Sequence, residues 1–463
     1  MKRLLIANRG EIACRIIRAA RSLGIETVAV YSEADAGAMH VEMADEVVCL
    51  GPPPAAQSYL RQEALIEAAL STKAEAIHPG YGFLSESASF AKAVKEAGLT
   101  WVGPAPETIA DMGDKGRARA LAIKAGVPVL PGSESFAEGA LDGLEEAGNA
   151  VGFPILVKAT AGGGGIGMQR VDDPAKLRKI AERTQSAAAR SFGDGSVFLE
   201  RFIARARHIE IQVFGFGDGR AVHLHERDCS LQRRFQKVVE ESPAPRLDRA
   251  IVARMGEVAC ALAAAVNYSG AGTVEFVLDA ETGEFFFLEM NTRIQVEHPV
   301  SEMVTGTDLV AAQLQLAAGE DIHGELANRP LKGHAVECRL YAENPAKKFL
   351  PSPGTLERFS LPEGMVGVRI DTGVREGDTI TPFYDPMIAK IIAWGESRDE
   401  AMAQINAALR ATQVEGLATN RDFLISITSN PTFLGGEVWT GFLDKHLDDL
   451  ISSQQGRIPR QGG

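Results

Sequence analysis

Through about residue 110, short apolar runs alternate with amphipathic helical stretches, and this alternation restricts the fold more than any other feature of the chain. Residues 3–8 and 26–31 (ETVAVY) read as strands. Between them, 10–23 reads as a helix with Ile12, Ile16, Ile17, Ala20 and Leu23 on one side, ended by Gly24. A helix over 59–70, a short strand EAIHPG running into a glycine-rich turn, a helix SASFAKAVKEAG and a strand TWVG (100–103) follow. Strands separated by helices cannot pair as hairpins, so the pattern predicts a doubly wound, mostly parallel sheet. The first strand–helix turn holds only Gly10, with no G-x-G-x-x-G, so a dinucleotide site is not expected.

Further along, a helix is expected over 114–130, a strand FPILVKA over 153–159, a helix over 174–192 and a strand VFLERFI over 197–203. Residues 207–228 read as two strands around Gly-Asp-Gly, and 272–291 as a second hairpin. From about 333 the chain becomes short strands rich in Gly and Pro, then a helix over 398–411. The 463 residues suffice for several domains. A net charge of −13 argues against a general nucleic-acid surface, so an anionic ligand needs a local basic pocket. Five widely spaced cysteines without C-x-x-C point to a reducing compartment rather than a disulfide framework. No apolar run reaches membrane-spanning length, and Asn8, Arg9, Glu11 and Arg15 break up the N-terminal apolar stretch, so neither a membrane span nor a signal peptide is expected.

The chemistry concentrates in FFFLEMNTRIQVEHP (285–299). If the 272–291 hairpin is symmetric about Thr282, Glu275 lies opposite Glu289 among apolar neighbours. Like charges facing across a sheet repel, and burial opposes ionisation further. A divalent cation would turn both penalties into attraction, and two carboxylates with the Asn291 amide are hard oxygen ligands suited to magnesium. The alternative is a slipped register that turns one Glu to solvent. If the following piece is extended, Arg293, Gln295 and Glu297 share a face: a guanidinium fork for a planar anion beside a carboxylate that can take its proton. An internal Arg–Glu ion pair without substrate is the other possibility.

KATAGGGGIGM places Lys158 before Gly162, Gly163, Gly164 and Gly165, a loop whose backbone N–H groups can cradle phosphate, the alternative being simply a flexible loop. It is not a G-x-x-x-x-G-K-[ST] loop. Lys115 in MGDK offers a second cation, unless it is simply solvated. His208, Glu210 and Gln212 alternate with Ile209, Ile211 and Val213, giving one polar and one apolar face. His223 and His225 have strand spacing for a metal but no evident third ligand. Lys237, beside Val238 and Val239, is expected to be partly buried against an anion.

The segments IANRGEIA (6–13), HPGYGFLSE (78–86), MGDK (112–115), ERDCSLQRR (226–234), EMNTRIQVEHPVSE (289–302) and GHAVECRL (333–340) resemble the biotin carboxylase family of ATP-grasp enzymes along nearly the whole chain. The resemblance implies a multidomain α/β and α+β fold: an N-terminal doubly wound domain at 1–113, an ATP-grasp domain at 114–330 with a mobile lid at 131–203 and a mixed C-terminal domain at 331–450; the polar composition of 451–463 points to a disordered tail. It implies Glu275, Glu289 and Asn291 as ligands for magnesium or manganese. It implies Lys115, Lys158, Gly162–Gly165, Met168, His208 and Gln232 as ATP-binding positions, with the adenine at Glu200, Arg201 and Ile203. Lys237, Arg293, Gln295, Val296 and Glu297 would hold bicarbonate, with Glu297 the base. Arg339 would steady the biotin enolate and Tyr81 would lie beside the ring.

The implied activity is ATP- and bicarbonate-dependent carboxylation of biotin through carboxyphosphate. No Ala-Met-Lys-Met-like biotin-attachment sequence occurs, so biotin is expected on a separate biotin carboxyl carrier protein. A carboxyltransferase partner, a homodimer and a cytoplasmic location are likewise expected, with acetyl-CoA or propionyl-CoA as final acceptor. The rivals are an ATP-grasp ligase joining a carboxylate to an amine, a keto-acid or urea-type carboxylase subunit, and a non-catalytic homologue. Two positions depart from the family pattern. Phe235 stands where relatives usually carry His or another polar residue, and Ile166 where many carry Arg or Lys; the alternatives are local repacking with no kinetic consequence and poor use of free biotin.

Overall fold

The computed structural model describes residues 1–160, 167–234 and 236–455. Gly162–Gly165, Ile166 and Phe235, singled out above, lie outside the described residues, as does 456–463. The chain divides into two compact units. The first takes in Met1–Val127, Arg207–Val277 and Glu289–Gly463; the second takes in Pro128–Ala206 and Leu278–Leu288.

In the first unit, five parallel strands form an N-terminal sheet in the order Glu46–Gly51, Glu26–Ser32, Arg3–Ile6, Ala76–His78, Thr100–Trp101. The helix Gly10–Ser22 buries Ile12, Ile16 and Ile17. The outermost strand, Glu46–Gly51, was not expected from the sequence: its apolar run of Val47, Val48, Cys49 and Leu50 is short, and Val47 and Cys49 are exposed at the sheet edge. Gly10 (φ +65°), where the first helix begins, and Gly80 (φ +64°), two residues past the strand Ala76–His78, take left-handed backbone. A Cβ on Gly80 would come within 2.9 Å of the Asn8 amide nitrogen, which donates to the carbonyls of Pro79 and Tyr81.

His78 ends one of these strands, fully buried. Its Nδ1 accepts from the Gly80 N–H at 3.0 Å and its Nε2 faces Gln313 Oε1 at 3.3 Å, an arrangement that holds the neutral tautomer. Burial lowers its pKa to about 4, and burial does the same to His40. Because the folded pKa lies below the unfolded one, the unfolded chain binds more protons between them, so stability is complete above the unfolded value and falls as pH drops toward 4. A tenfold difference in proton affinity is worth about 1.4 kcal/mol, so each ring should cost roughly 1–3 kcal/mol at pH 4.5. Denaturant melts of the wild type and of His78→Gln at pH 5 and pH 7 check this. The variant, which has one fewer ring to charge, should lose less stability on acidification.

The larger sheet has eight strands in the order Phe285–Asn291, Ser269–Asp279, Ala206–Phe216, Ala221–Arg233, Gln236–Ser242, His334–Tyr341, Met387–Gly395, Val368–Thr372. From Ala206–Phe216 to Val368–Thr372 every neighbouring pair is antiparallel. The helices Arg398–Ala411 and Arg421–Thr428 bury Ile405, Leu409, Phe423 and Leu424 in one core with Val336, Cys338 and Ile391 of the sheet. The helix Phe442–Gln455 runs five residues into the expected tail, because Leu447, Leu450 and Ile451 share a stripe packed on that core.

The second unit contains the segment expected as the lid. Its three strands, Met168–Val171, Ile155–Ala159 and Val197–Arg201, are antiparallel. The helices Leu177–Phe192 and Leu144–Val151 contribute Leu177, Ala181, Leu144 and Val151 to its core. No helix among the described residues is long and apolar enough to cross a membrane.

Candidate active site

Glu297 lies at the centre of the site. The stretch after Asn291 is not extended, contrary to the reading that put Arg293, Gln295 and Glu297 on one strand face. The strand ends at Asn291, and Pro299 in the first turn starts a helix, His298–Thr305, with Glu297 as its N-cap. Folding, not period two, brings these side chains together.

Glu297 is buried, and both carboxylate oxygens are engaged. Lys237 Nζ donates to Oε1 at 2.6 Å and Arg339 Nη2 to Oε2 at 2.9 Å. Burial opposes its ionisation, but Lys237, Arg339 and Arg227 outweigh it and hold the carboxyl well below its usual range. Lys237 also donates to Glu210 at 2.6 Å and to Glu275 at 3.0 Å, so three carboxylates share one ammonium. Burial disfavours that ammonium, yet the three anions keep it charged.

Glu275 joins this centre to Asn291, Gln295 and His208. Its Oε1 accepts from Asn291 at 2.9 Å and from Gln295 at 2.8 Å, and its Oε2 lies 2.9 Å from His208 Nε2. Burial disfavours the imidazolium, while Glu275 raises the ring's pKa beyond that cost. Glu289 differs: it is exposed, and its pKa is raised first by partial desolvation and then by the charges of Glu275 and Glu86. That repulsion is what a divalent cation would relieve. Two carboxylates, one buried and one open, beside the Asn291 amide therefore fit magnesium. Arg293 reaches Glu86 at 2.9 Å and Asn291 Oδ1 at 2.8 Å, so it borders the acidic group from outside. The Val296 carbonyl accepts from Lys390 Nζ at 2.9 Å. Tyr81 donates to Glu11, which lies 3.2 Å from the same Lys390. Gln232 sits opposite Lys237 in the strand register, and Lys115 is exposed at the start of the helix Lys115–Lys124.

The other expected ATP positions belong to the second unit. Lys158 donates to Glu200 at 2.8 Å across neighbouring strands, and Met168 faces Lys158 in register. Arg201 pairs with Glu284 at 3.3 Å, and Ile203 is buried. His223 and His225 form no metal cluster among the described residues. Their rings meet edge to face at 5.8 Å, and His225 Nε2 bonds the Arg329 carbonyl at 2.8 Å.

Arg227 was missed from the sequence. It is fully buried, and its five N–H groups meet Glu210 Oε1 (2.5 Å), Gln212 Oε1 (2.6 Å), Ser301 Oγ (2.9 Å), Thr273 Oγ1 (3.0 Å) and Gln295 Oε1 (2.7 Å). It pins the amide and the carboxylate that in turn hold Glu275 and Lys237. An arginine in a strand between Leu224 and Leu231 was the available signal, since burial of such a residue demands anions nearby.

The chain matches three family models: "Biotin carboxylase, N-terminal domain" at residues 1–109, "Carbamoyl-phosphate synthase L chain, ATP binding domain" at 114–324 and "Biotin carboxylase C-terminal domain" at 337–445. The chain belongs to the biotin carboxylase family, whose members are ATP-dependent carboxylating ligases. It is 49% identical over 456 residues to Biotin carboxylase 1 of Bacillus subtilis, covering 98% of this chain and 100% of that one. It is 50% identical to the methylcrotonoyl-CoA carboxylase subunit alpha of Oryza sativa, covering 98% of this chain but 61% of that one. The chain thus spans a little over three-fifths of the length of the first methylcrotonoyl-CoA relatives it matches. Among solved structures, the biotin carboxylase subunit of a pyruvate carboxylase superposes with TM-score 0.87 at 44% identity, covering 97% and 99% of the two chains. The Hydrogenobacter thermophilus 2-oxoglutarate carboxylase biotin carboxylase domain, a dimer holding MgADP, ADP and bicarbonate, gives 0.86 at 41% identity, covering 97% and 98%.

Proposed function

We propose that the chain carboxylates biotin presented by a biotin carboxyl carrier protein, using ATP and bicarbonate, as the first half-reaction of a biotin-dependent carboxylase. The observation that carries this reading is Glu297 held ionised between Lys237 and Arg339. A carboxylate clamped by two cations is a weak base while the clamp is complete. Bicarbonate entering between Lys237 and Arg339 draws part of their charge to itself, and Glu297 regains proton affinity as its substrate arrives. The freed bicarbonate oxygen attacks the γ-phosphate of ATP. Magnesium at Glu275, Glu289 and Asn291 would supply charge neutralisation on the phosphates. The carboxyphosphate formed breaks down to carbon dioxide and phosphate. Phosphate takes the ureido proton of biotin, and Arg339 steadies the resulting anion while it attacks carbon dioxide. In this reading Lys115, Lys158, His208, Gln232, Met168, Glu200, Arg201 and Ile203 serve the nucleotide, Tyr81 serves the biotin ring, and 131–203 is the lid.

Relatives built on this same unit carry the names of methylcrotonoyl-CoA, pyruvate and 2-oxoglutarate carboxylases, so the acceptor is chosen by a carboxyltransferase partner. We favour an acyl-CoA acceptor, with methylcrotonoyl-CoA joining acetyl-CoA and propionyl-CoA, and we propose a cytoplasmic homodimer. The test is the initial rate of ADP release with and without bicarbonate, and with a panel of amino acids in its place. Release that requires bicarbonate supports the carboxylase. Release driven by an amine and indifferent to bicarbonate would favour the carboxylate–amine ligase.

A further inference from the structure

Two further acids lie beside Arg339. Glu240 and Glu337 are direct register partners on adjacent antiparallel strands, Gln236–Ser242 and His334–Tyr341, and both side chains are fully buried. Partners in such a ladder stand about 5 Å apart at Cβ on the same face. Arg339, two residues beyond Glu337 on the same face, donates to Glu240 Oε1 at 2.7 Å and to Glu297 Oε2 at 2.9 Å. Among the described residues, Glu240 Oε2 and both oxygens of Glu337 have no hydrogen-bond partner. Lys390, on the neighbouring strand Met387–Gly395, is taken up by the Val296 carbonyl at 2.9 Å and Glu11 at 3.2 Å. Two buried carboxylates with three unpartnered oxygens are intolerable as a pair of anions, whereas one proton between them supplies a donor to satisfy the pair.

We propose that Glu240 and Glu337 share one proton and act together as positioning residues for Arg339, keeping the guanidinium poised on Glu297 rather than drawn back into the sheet. With the proton present, a single negative charge on the pair anchors one edge of the fork and leaves the other for Glu297. Loss of the proton doubles the charge behind Arg339 and pulls it from the substrate side. The inference rests on the reading of Arg339 as the residue that steadies the biotin anion. It identifies a control on that residue which no ligand contact reveals.

Burial pushes Glu240 up to about 7 and Glu337 well above the carboxylate range, opposed by Arg339 and Lys390. The charged groups around the pair are Lys237 on the strand of Glu240, Arg339 beside Glu337 and Lys390 on the next strand. The helix His298–Thr305 adds Glu297 at its N-cap and carries His298, kept neutral by burial, and Glu302. Both acids bind their proton more tightly folded than unfolded, so the stability they contribute is complete below the ordinary carboxylate range and is lost as pH rises through the folded values.

The test pairs infrared spectroscopy with a pH profile. The full chain at pH 7 should show a buried carboxylic-acid carbonyl band that Glu337→Gln removes. The wild type should show an alkaline decline in biotin carboxylation, and Glu337→Gln, a neutral isostere of the protonated acid, should keep the rate within about twofold at pH 7 and lose that decline. Glu240→Gln, which removes the anchor, should lower kcat for biotin carboxylation about tenfold or more without changing ATP affinity. No band in the wild type, a band that survives in Glu337→Gln, or identical alkaline limbs would each overturn the proposal. Bicarbonate-dependent ADP release without biotin is measured alongside. Its absence in the wild type would refute the carboxylase reading, while the infrared result would still decide whether the shared proton exists.

Discussion

Glu297→Gln should lower bicarbonate-dependent turnover about 10²–10⁴-fold while leaving Mg-ATP affinity within about threefold. The amide can still accept from one of Lys237 and Arg339, so the fold around it survives, but it cannot take the proton of bicarbonate. Glu289→Gln should fail the other way. It removes half of the carboxylate charge facing the metal and leaves Lys237, Arg339 and Glu297 untouched, so Mg-ATP binding should weaken by about tenfold or more. Nucleotide titrations and steady-state kinetics on both variants read the difference. Equal loss of nucleotide affinity in the two would remove the division of roles between the metal end and the bicarbonate end.

The largest stability effect should come from Arg227→Met, a loss of about 3–5 kcal/mol. The guanidinium uses all five donors, and its partners come from two strands, a loop and a helix, so no neighbouring side chain can replace it. Its removal takes one cation from Glu210, which keeps Lys237, and strips the Oε1 atoms of Gln212 and Gln295 of this donor. Arg227→Lys keeps the charge but offers at most three donors without the planar fork, and should recover less than half of the loss. Denaturant unfolding followed by fluorescence and by circular dichroism measures both variants. A stable Arg227→Met protein would show that the network is decoration around a core that does not need it.

Much of this was open to a reader of the sequence, and the exceptions share a cause. Alternation of strand and helix was enough for the parallel sheet, because buried strands must be apolar throughout and the helices between them must be amphipathic. The polar face of His208, Glu210 and Gln212 was visible for the same reason, and all three side chains reach the site: His208 to Glu275, Glu210 to Lys237, Gln212 to Arg227. The edge strand Glu46–Gly51 escaped because its apolar run of Val47, Val48, Cys49 and Leu50 is short and no helical stretch of clear period precedes it. The 293–297 segment was read as extended because its polar residues alternate, but Pro299 and the helix it starts set the backbone there. Arg227, Glu240 and Glu337 went unassigned because their meaning lies in register and in partners as much as 99 positions away, which no local pattern encodes.

Transfer of a carboxyl group from bicarbonate to biotin is the proposed reaction, and labelled bicarbonate tests it most directly. The full chain is incubated with ATP, magnesium, labelled bicarbonate and a biotinylated carrier domain, and label is counted on the carrier. Label that appears on biotin only when ATP, magnesium and bicarbonate are all present, and that Glu297→Gln abolishes, is the predicted result. ATP consumption with no label on biotin, or labelling that persists in Glu297→Gln, would contradict it.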